Sequence, residues 1–533
     1  MNITQDKIFL DKYLGGLLAS AIGDALGWPQ EQNAKNRNPE YTPKIAFRDW
    51  IRESGSRFHL HEEPIKAGEY SDDTQLMLAT ARSLLKKEKW YVNFAKVELP
   101  FWLLYERGGG GATKRSCKSW AKGKSPWNES DIKLRRNYFN AGGNGVVMRI
   151  LPHVYHSATD REKMRYDIFR NGIATHGHPR ALVSSLIYAE ALLFLITKSD
   201  TLKYAELIDY LIDNENLWKS VPEFENMNDW RQKAEEIYNE SYLKIWENTI
   251  SELREGLVEL KFRLKNGLLD NTNETLKKLG CFDKSVNGSG VNSVLIAFYI
   301  FSKFATNPQT GILEVAFLKN ADTDTLASLV GGLFGSLYGT DWIPLEWCKV
   351  QDMEYFKYVV SRMSEPKPEQ TVMDVWKESK KKKLIDNLKN RTLGSQFKFF
   401  VLDGLILKDK HVNKNVESNK KFLIETFKLE STAGQTIYIK SISNKPADKP
   451  TQNSNFKKAS FNEERIQYIN LVRINHLLPN ISLRDTLEII QLFYNSNESK
   501  INDFLKKFEV SNSKQTIKEE LRSLILNPNK TSH

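Results

Sequence analysis

Apolar residues recur at helical spacing through the first two thirds of the chain. Leu14, Leu17, Leu18, Ala21, Ile22 and Ala25 form one stripe, and Leu182, Leu186, Ala189, Leu192 and Leu193 form a second. Val294, Leu295, Phe298 and Phe301 form a third, and Leu326, Leu329, Val330, Leu333, Phe334 and Leu337 a fourth. Three or four apolar positions per two turns is the signature of a helix with one buried face. Period-two alternation is scarce between residues 10 and 345, and the links are Gly, Pro and Asn loops, so the pattern predicts an all-helical core. The fourth stripe is unusual because Gly331, Gly332 and Gly335 interrupt it. Each such glycine costs about 1 kcal/mol relative to alanine in a helix interior, so three of them point to close approach by another backbone.

The pattern changes further on. Residues 200–279 are charged and helical and read as an inserted helical subdomain. The run KKKK at 380–383 reads as a solvated helix face. FKFFVLDGLIL and QTIYIKSI read as strands, the first pair turning at Asp403–Gly404. SNKPADKPTQNSNFKKAS reads as a linker, and residues 461–527 return to helix with a stripe at Ile466, Ile469, Leu471, Ile474 and Leu477. No internal repeat is visible.

Charge sharpens that division. The 533 residues carry a net charge of +11, and residues 351–533 hold 32 Lys and Arg against 22 Asp and Glu. The basic character therefore belongs to the C-terminal third. The expected organisation is a catalytic domain over residues 1–350, with a helical insertion near 200–285, and a basic accessory region over 351–533. No apolar run reaches the ~20 residues that span a bilayer, and the start has no basic segment followed by an apolar block and a cleavage site. Cys117, Cys281 and Cys348 are far apart and in no CxxC pattern, which argues against zinc and disulfides and for a reducing, cytoplasmic setting.

The candidate chemistry lies in five short stretches. NADTDTLASLVGGLFGSLYG sets Asp322, Thr323, Asp324 and Thr325 before the glycine-rich helix. One Asp would suffice to cap a helix, so the second carboxylate with its alternating hydroxyls suggests an oxygen cage for a hard cation. YSDDTQL repeats the arrangement with Ser71, Asp72, Asp73 and Thr74. Adjacent carboxylates raise each other's pKa unless a cation sits between them. Each stretch alone also reads as an ordinary helix cap; two of them in one helical domain suggest a two-metal site. GLLASAIGDALGWPQE places Asp24 inside a helix, where a structural role is the simpler reading, and Glu31 after a turn, within possible reach of a metal or on the surface. NAGGNGVVMRILP offers Gly142, Gly143 and Gly145 as a nest for an anion, without the surrounding strands of a dinucleotide fold. ATHGHPRAL puts His176 just before a helix, where a cap or core role competes with a functional one. RGGGGAT, residues 107–113, matches no motif and reads as a linker in preference to a loop at a cleft mouth.

Taken in order, GDALG-x3-E, SDDTQ, GNG-x2-MR, TH and NADTDT resemble the ADP-ribosylglycohydrolase family, over residues 10–348 with an insertion near 200–285. That family includes arginine- and serine-ADP-ribosyl hydrolases and the dinitrogenase-reductase-activating glycohydrolase. The resemblance implies a mainly α fold, a compact orthogonal helical bundle with a binuclear Mg2+ centre in a cleft; Mn2+ is the alternative ion. It implies that Ser71, Asp72, Asp73, Asp322, Asp324 and Thr325 ligate the two ions. Glu31 would be a ligand or the carboxylate displaced when substrate enters. Ala141, Gly142, Gly143, Asn144 and Gly145 would cradle the diphosphate, and His176 would contact the bound ADP-ribose. Ser71 stands where many relatives have Thr, and Ala141 where some have Ser.

The implied reaction is hydrolysis of the N- or O-glycosidic bond joining ADP-ribose to a protein side chain or other acceptor, through an oxocarbenium-like transition state. Asp72, Asp73 or Glu31 would move the proton, with Glu31 or Asp73 preferred as the carboxylates less committed to metal. Three other readings compete. DTDT superficially fits the nucleophile motif of haloacid-dehalogenase phosphatases but lacks the preceding strand. A non-catalytic ADP-ribose-binding module is the second. A regulator or hydrolase acting on modified nucleic acid through the basic C-terminal region is the third, less favoured than a protein partner or homo-oligomer contact there. A chain ending near Pro366 is expected to keep hydrolysing a small ADP-ribosyl substrate. Which linkage is cut is not written in these motifs.

Overall fold

The computed structural model describes residues 3–31, 42–55, 60–86, 89–224, 227–267, 270–364, 378–399, 401–413 and 422–444. Beyond these it describes 477–478, 485, 488–489, 492, 498–507 and 514–526. The helical expectation holds for the first 345 residues, and the glycines explain how the helices meet. Helix α1 (Ile3–Gly27) runs antiparallel to the last helix of the bundle, Thr323–Tyr338. A Cβ on Gly23 would sit 2.1 Å from the Ala327 carbonyl oxygen, and one on Gly335 would sit 2.1 Å from that of Gly15. On Gly331 it would sit 2.1 Å from that of Ala19. Glycine is required because backbone lies where a side chain would start. This close pairing brings the end of α1, with Glu31 just beyond it, to the start of the partner helix, where Thr323 donates its hydroxyl to the Gly27 carbonyl at 2.8 Å.

Between them lie helices α2 (Asp72–Leu84), α3 (Gly111–Ala121), α4 (Pro179–Thr197), α5 (Tyr242–Lys265) and α6 (Gly290–Lys303), so that Thr323–Tyr338 is α7. By length and composition α4 could cross a membrane, which the sequence reading did not anticipate. However, 83% of its apolar window is buried inside the protein, and it serves as a core helix. The 200–285 segment is helical as expected. It packs into the same body: Trp230 donates to the Tyr138 hydroxyl at 3.0 Å, and Tyr242 to the Gly177 carbonyl at 3.1 Å.

The strands differ from expectation. Strands β1 (Trp50–Ser54) and β2 (His61–Ile65) form an unforeseen antiparallel hairpin. Strands β3 (Gln396–Phe399), β4 (Asp403–Val412), β5 (Phe422–Ser431) and β6 (Thr436–Asn444) form an antiparallel meander in that order. The first hairpin does not turn at Asp403–Gly404, because these residues pair with Phe399 and Lys398 in the ladder. That glycine instead admits Thr432, whose N–H donates to the Gly404 carbonyl at 3.0 Å.

The expected boundary at residue 350 falls inside one compact unit, made of residues 1–339 and 350–445. The inward residues of the sheet, Leu405, Leu407, Phe427, Leu429, Ile437 and Ile439, share one apolar cluster with Leu76, Phe94, Phe101, Trp102 and Cys117 of the helices. A meander alone could not bury that face, and the helices supply its other side. In the lysine-rich helix Glu378–Asn390, Lys382 and Lys383 are exposed while Leu384 and Leu388 are buried, as a solvated face requires. The second unit, residues 340–349 and 446–533, includes helices Glu498–Leu505 and Lys514–Leu526 around Leu478, Ile501, Phe504 and Leu521. The proposed linker from residue 445 on, and the stripe at Ile466, Ile469, Leu471 and Ile474, lie outside the described residues.

Candidate functional site

Two helix N-termini carry the paired acids, and α1 holds both in place. Ser71 caps α2, accepting from the Asp73 N–H at 3.3 Å. Asp24, fully buried, accepts from the Ser71 N–H at 2.9 Å, the Thr74 N–H at 3.1 Å and the Thr74 hydroxyl at 2.6 Å. That confirms the structural reading of Asp24: it ties α2 to α1 from beneath. At the start of α7, Asp322 occupies the cap position and Asp324 the first turn, where its Oδ1 accepts the Thr325 N–H at 2.8 Å.

One carboxylate oxygen from each of Glu31, Asp322 and Asp324 lies within 4.8 Å of the other two. The α2 acids feel the same cluster. Burial pushes Asp72 well above the usual carboxylate range, with Glu106, Asp24 and Glu31 adding repulsion and Lys114 opposing it. Burial likewise raises Asp73, reinforced by Asp24, Asp72 and Asp322 and opposed by Thr325. Asp324 is raised by burial, then by Glu31, Asp73, Asp322 and Asp24. Asp322 is raised by burial and steadied by the Asn144 amide, which donates to its Oδ2 at 2.7 Å. Among the described residues, none of Asp72, Asp73, Asp322 and Asp324 forms an ion pair with Lys or Arg. Asp73 Oδ1 is buried with no hydrogen-bond partner. Buried like charges without a counter-charge are costly, and a divalent cation is the group that would relieve all of them together. The donor set, carboxylates with the Ser71 and Thr325 hydroxyls, suits a hard ion. The residues present therefore fit a metal.

The glycine-rich loop sits beside this cluster. Its backbone pairs with residues 288–290: the Asn144 N–H donates to the Gly288 carbonyl, and the Gly290 N–H to the Gly142 carbonyl, each at 3.0 Å. That leaves the Gly143 and Gly145 N–H groups without a protein acceptor among the described residues. Asn144 turns its side chain to Asp322 and to Ser293, at 3.0 Å from the hydroxyl, and so links loop and cluster. Ala141 is buried, and its carbonyl accepts from the His178 N–H at 3.4 Å.

Beneath the loop lies Arg149, fully buried. It donates to the Gly145 carbonyl at 2.9 Å, the Asn171 side chain and carbonyl at 2.8 and 2.9 Å, and the Thr175 hydroxyl at 2.8 Å. Among the described residues it has no carboxylate partner, and burial lowers its pKa to about 9. His176 is 2% exposed, with Nδ1 against the Thr175 hydroxyl at 2.7 Å. Burial and the charges of Arg149 and Arg115 hold its pKa near 3, so the ring is neutral. Its Cε1 would lie 3.1 Å from a Cβ on Gly145. The structure thus places His176 under the loop, where it sets the loop's height.

One element was misread. RGGGGAT is not a linker: Gly108, with φ +106°, lies over Asp72, and a Cβ there would sit 2.9 Å from Asp72 Oδ1. The run of glycines was the available signal, since only a close approach or a positive φ demands glycine.

A family model for ADP-ribosylglycohydrolase matches residues 5–376 of this chain. The chain is similar to the ADP-ribosyl-[dinitrogen reductase] glycohydrolase of Rhodospirillum rubrum, 27% identical over 176 residues, which are 32% of this chain and 52% of that protein. The match therefore spans about half the length of that curated relative. It is also similar to a solved structure described as an ADP-ribosylglycohydrolase-related protein complex, at 19% identity, covering 67% of this chain and 98% of that one with a TM-score of 0.42.

Proposed function

Because this chain belongs to the ADP-ribosylglycohydrolase family, we propose that it hydrolyses the glycosidic bond between ADP-ribose and a modified acceptor, using a two-metal site. The acceptor we propose is an ADP-ribosylated protein, the kind of substrate named for the Rhodospirillum rubrum relative. The observation that carries the reading is the convergence of Glu31, Asp322 and Asp324, together with the buried Asp73, whose Oδ1 has no hydrogen-bond partner. Ser71, Asp72, Asp73, Asp322, Asp324 and Thr325 would hold two Mg2+ ions, with Mn2+ as a substitute. Bound there, the ions would supply the positive charge that holds the ribose hydroxyls and stabilises the transition state.

The remaining work falls to the chain itself. Glu31 is half-buried on the turn after α1, and it is the carboxylate we assign to take a proton from an attacking water. Asn144 fixes the rotamer of Asp322, so that loop and acid move as one. The Gly143 and Gly145 N–H groups, backed by the buried Arg149, offer donors and positive potential to a diphosphate. His176, neutral and buried, holds that loop from below.

The test is to incubate the protein with a panel of arginine-, serine- and other ADP-ribosylated substrates and follow free ADP-ribose. Release with Mg2+ or Mn2+ that stops in EDTA supports the reading. Release undiminished in metal-free buffer overturns the two-metal site, and binding of ADP-ribose without release from any substrate favours a non-catalytic module.

A further inference from the structure

The sheet β3–β6 lies beyond the family-matched span, which ends at residue 376, yet it is fastened to two segments next to Ser71–Asp72, at Arg107–Gly108 and at Tyr70. On one side stands Arg107, 2% exposed. Its Nε pairs with Glu63 at 2.9 Å, its Nη1 with Glu69 at 2.7 Å, and its guanidinium lies 3.8 Å from the ring centroid of Tyr438 on β6. The Tyr438 hydroxyl donates to the other oxygen of Glu69. Lys440, also on β6, donates to Glu63 at 2.6 Å and to the Ser54 hydroxyl at 3.0 Å. The Arg107 N–H donates to Gln75 Oε1 at 3.3 Å, one helical turn beyond Asp72, and the next residue is Gly108, lying over Asp72. On the other side, the Tyr70 hydroxyl donates to Asp352 at 2.6 Å, and Asp352 also accepts the Thr436 N–H at the start of β6 at 2.9 Å. Tyr70 immediately precedes Ser71.

A buried ion network is weak evidence of stability by itself. This one has its ends at Tyr70 and Gly108, the two residues that bracket the Ser71–Asp72 pair. We propose that Arg107 is a positioning residue for Asp72, and that β6 is the fixed wall against which it holds the Gly108 turn. The inference rests on the metal-site reading above. On this account the outward face of β6 supports the active centre from behind, through Tyr438 and Lys440.

Mn2+ alone is the probe, titrated into the full-length chain and followed by calorimetry, with kcat and KM measured alongside. Arg107→Lys keeps the charge but loses the fork that spans Glu63 and Glu69. Tyr438→Phe keeps the ring under the guanidinium and removes only the bond to Glu69. Partners that orient ligands typically cost ~10- to 100-fold in metal affinity or activity, and Arg107→Lys is expected within that range with Tyr438→Phe below it. Ile439→Val, on the opposite face of β6 in the apolar core, is the comparison: its melting temperature should fall while its Mn2+ affinity stays that of the wild type. Should Arg107→Lys fail to fold, Tyr438→Phe decides. Folded variants with unchanged Mn2+ affinity and unchanged kcat overturn the inference. A wild-type chain that binds no Mn2+ overturns the metal-site reading itself, and the inference with it.

Discussion

At Asp322–Thr325 the chain is held by backbone against backbone. Gly15, Ala19, Gly23 and Gly27 of α1 face Gly331, Gly335 and their neighbours on α7 at separations no larger side chain permits. At Ser71–Asp73 it is held by polar groups: Asp24 below, Tyr70 and Asp352 behind, Arg107 and Gly108 above. Each end sets two carboxylates and a hydroxyl at a helix N-terminus, and on the proposed reading the two ends serve one site. The first is rigid because any shift makes a clash. The second is a set of hydrogen bonds and ion pairs, each of which can be weakened alone, so it is the half that can be tuned.

The largest expected effect comes from removing the polar half's outer support. A chain ending near Pro366 loses the sheet and exposes Leu76, Phe101 and Trp102, which share its core. Contrary to the expectation from sequence, it should aggregate or melt far below the full chain, whereas a chain ending at Lys445 keeps that core. Gel filtration and thermal melting of the two separate these outcomes, and a monomeric, active shorter chain would show the sheet to be dispensable.

On the rigid half, Gly335→Ala should destabilise by about 3 kcal/mol or more, because its Cβ would sit 2.1 Å from the Gly15 carbonyl oxygen. Gly110→Ala, with nothing within 4 Å of its Cβ, is the control and should melt like the wild type. Equal melting temperatures for the two variants would mean that the helices are not packed through glycine.

Removing one charge from either half should separate catalysis from folding. Asp73→Asn and Asp322→Asn are expected to lower kcat at least ~100-fold, at or beyond the upper end of the loss seen for outer-shell partners. Neither should lower the melting temperature of the metal-free chain, since each removes a repelling buried charge. Wild-type turnover by either variant would remove that residue from the site.

The smallest effect is a pH dependence of the polar half. Burial raises Asp352 from its ordinary 3.8 to about 6, against the opposing bonds from Tyr70 and Thr436. A raised carboxylate contributes stability that is fully present below its unfolded value and is lost as pH rises through about 6. Between pH 5 and 7 that loss is about 1 kcal/mol at ~1.4 kcal/mol per pKa unit. Asp352→Asn should shrink the fall in stability over that interval. A variant with the same pH profile as the wild type would assign the dependence to other groups.

The two halves also differ in how far they could be read in advance. Gly331, Gly332 and Gly335 are a local pattern, and the stripe they interrupt implied a close neighbour; the matching spacing at 15, 19, 23 and 27 on α1 became visible only with the helices paired. The acid pairs were legible for the same reason: each is a contiguous string at a helix start. The polar support was not, because Glu63 meets Arg107 and Lys440 across 44 and 377 residues of sequence. The strand β5 escaped because its buried residues Ile424, Thr426, Phe427 and Leu429 break the period of two at Thr426–Phe427. Strands β1 and β2 carry Arg, Glu and His, and owe their place to Trp28, Trp50 and Ile65 and to the Glu63 ion pairs.

The central claim is that the two helix ends form one metal site. Calorimetric titration of Mn2+ into the metal-free wild type, Asp73→Asn and Asp322→Asn tests it most directly. The account predicts two ions bound by the wild type and loss of tight binding in each variant, since each half supplies ligands to a shared centre. Wild-type affinity and stoichiometry in either variant would contradict it, and would leave the two acid pairs as separate helix caps.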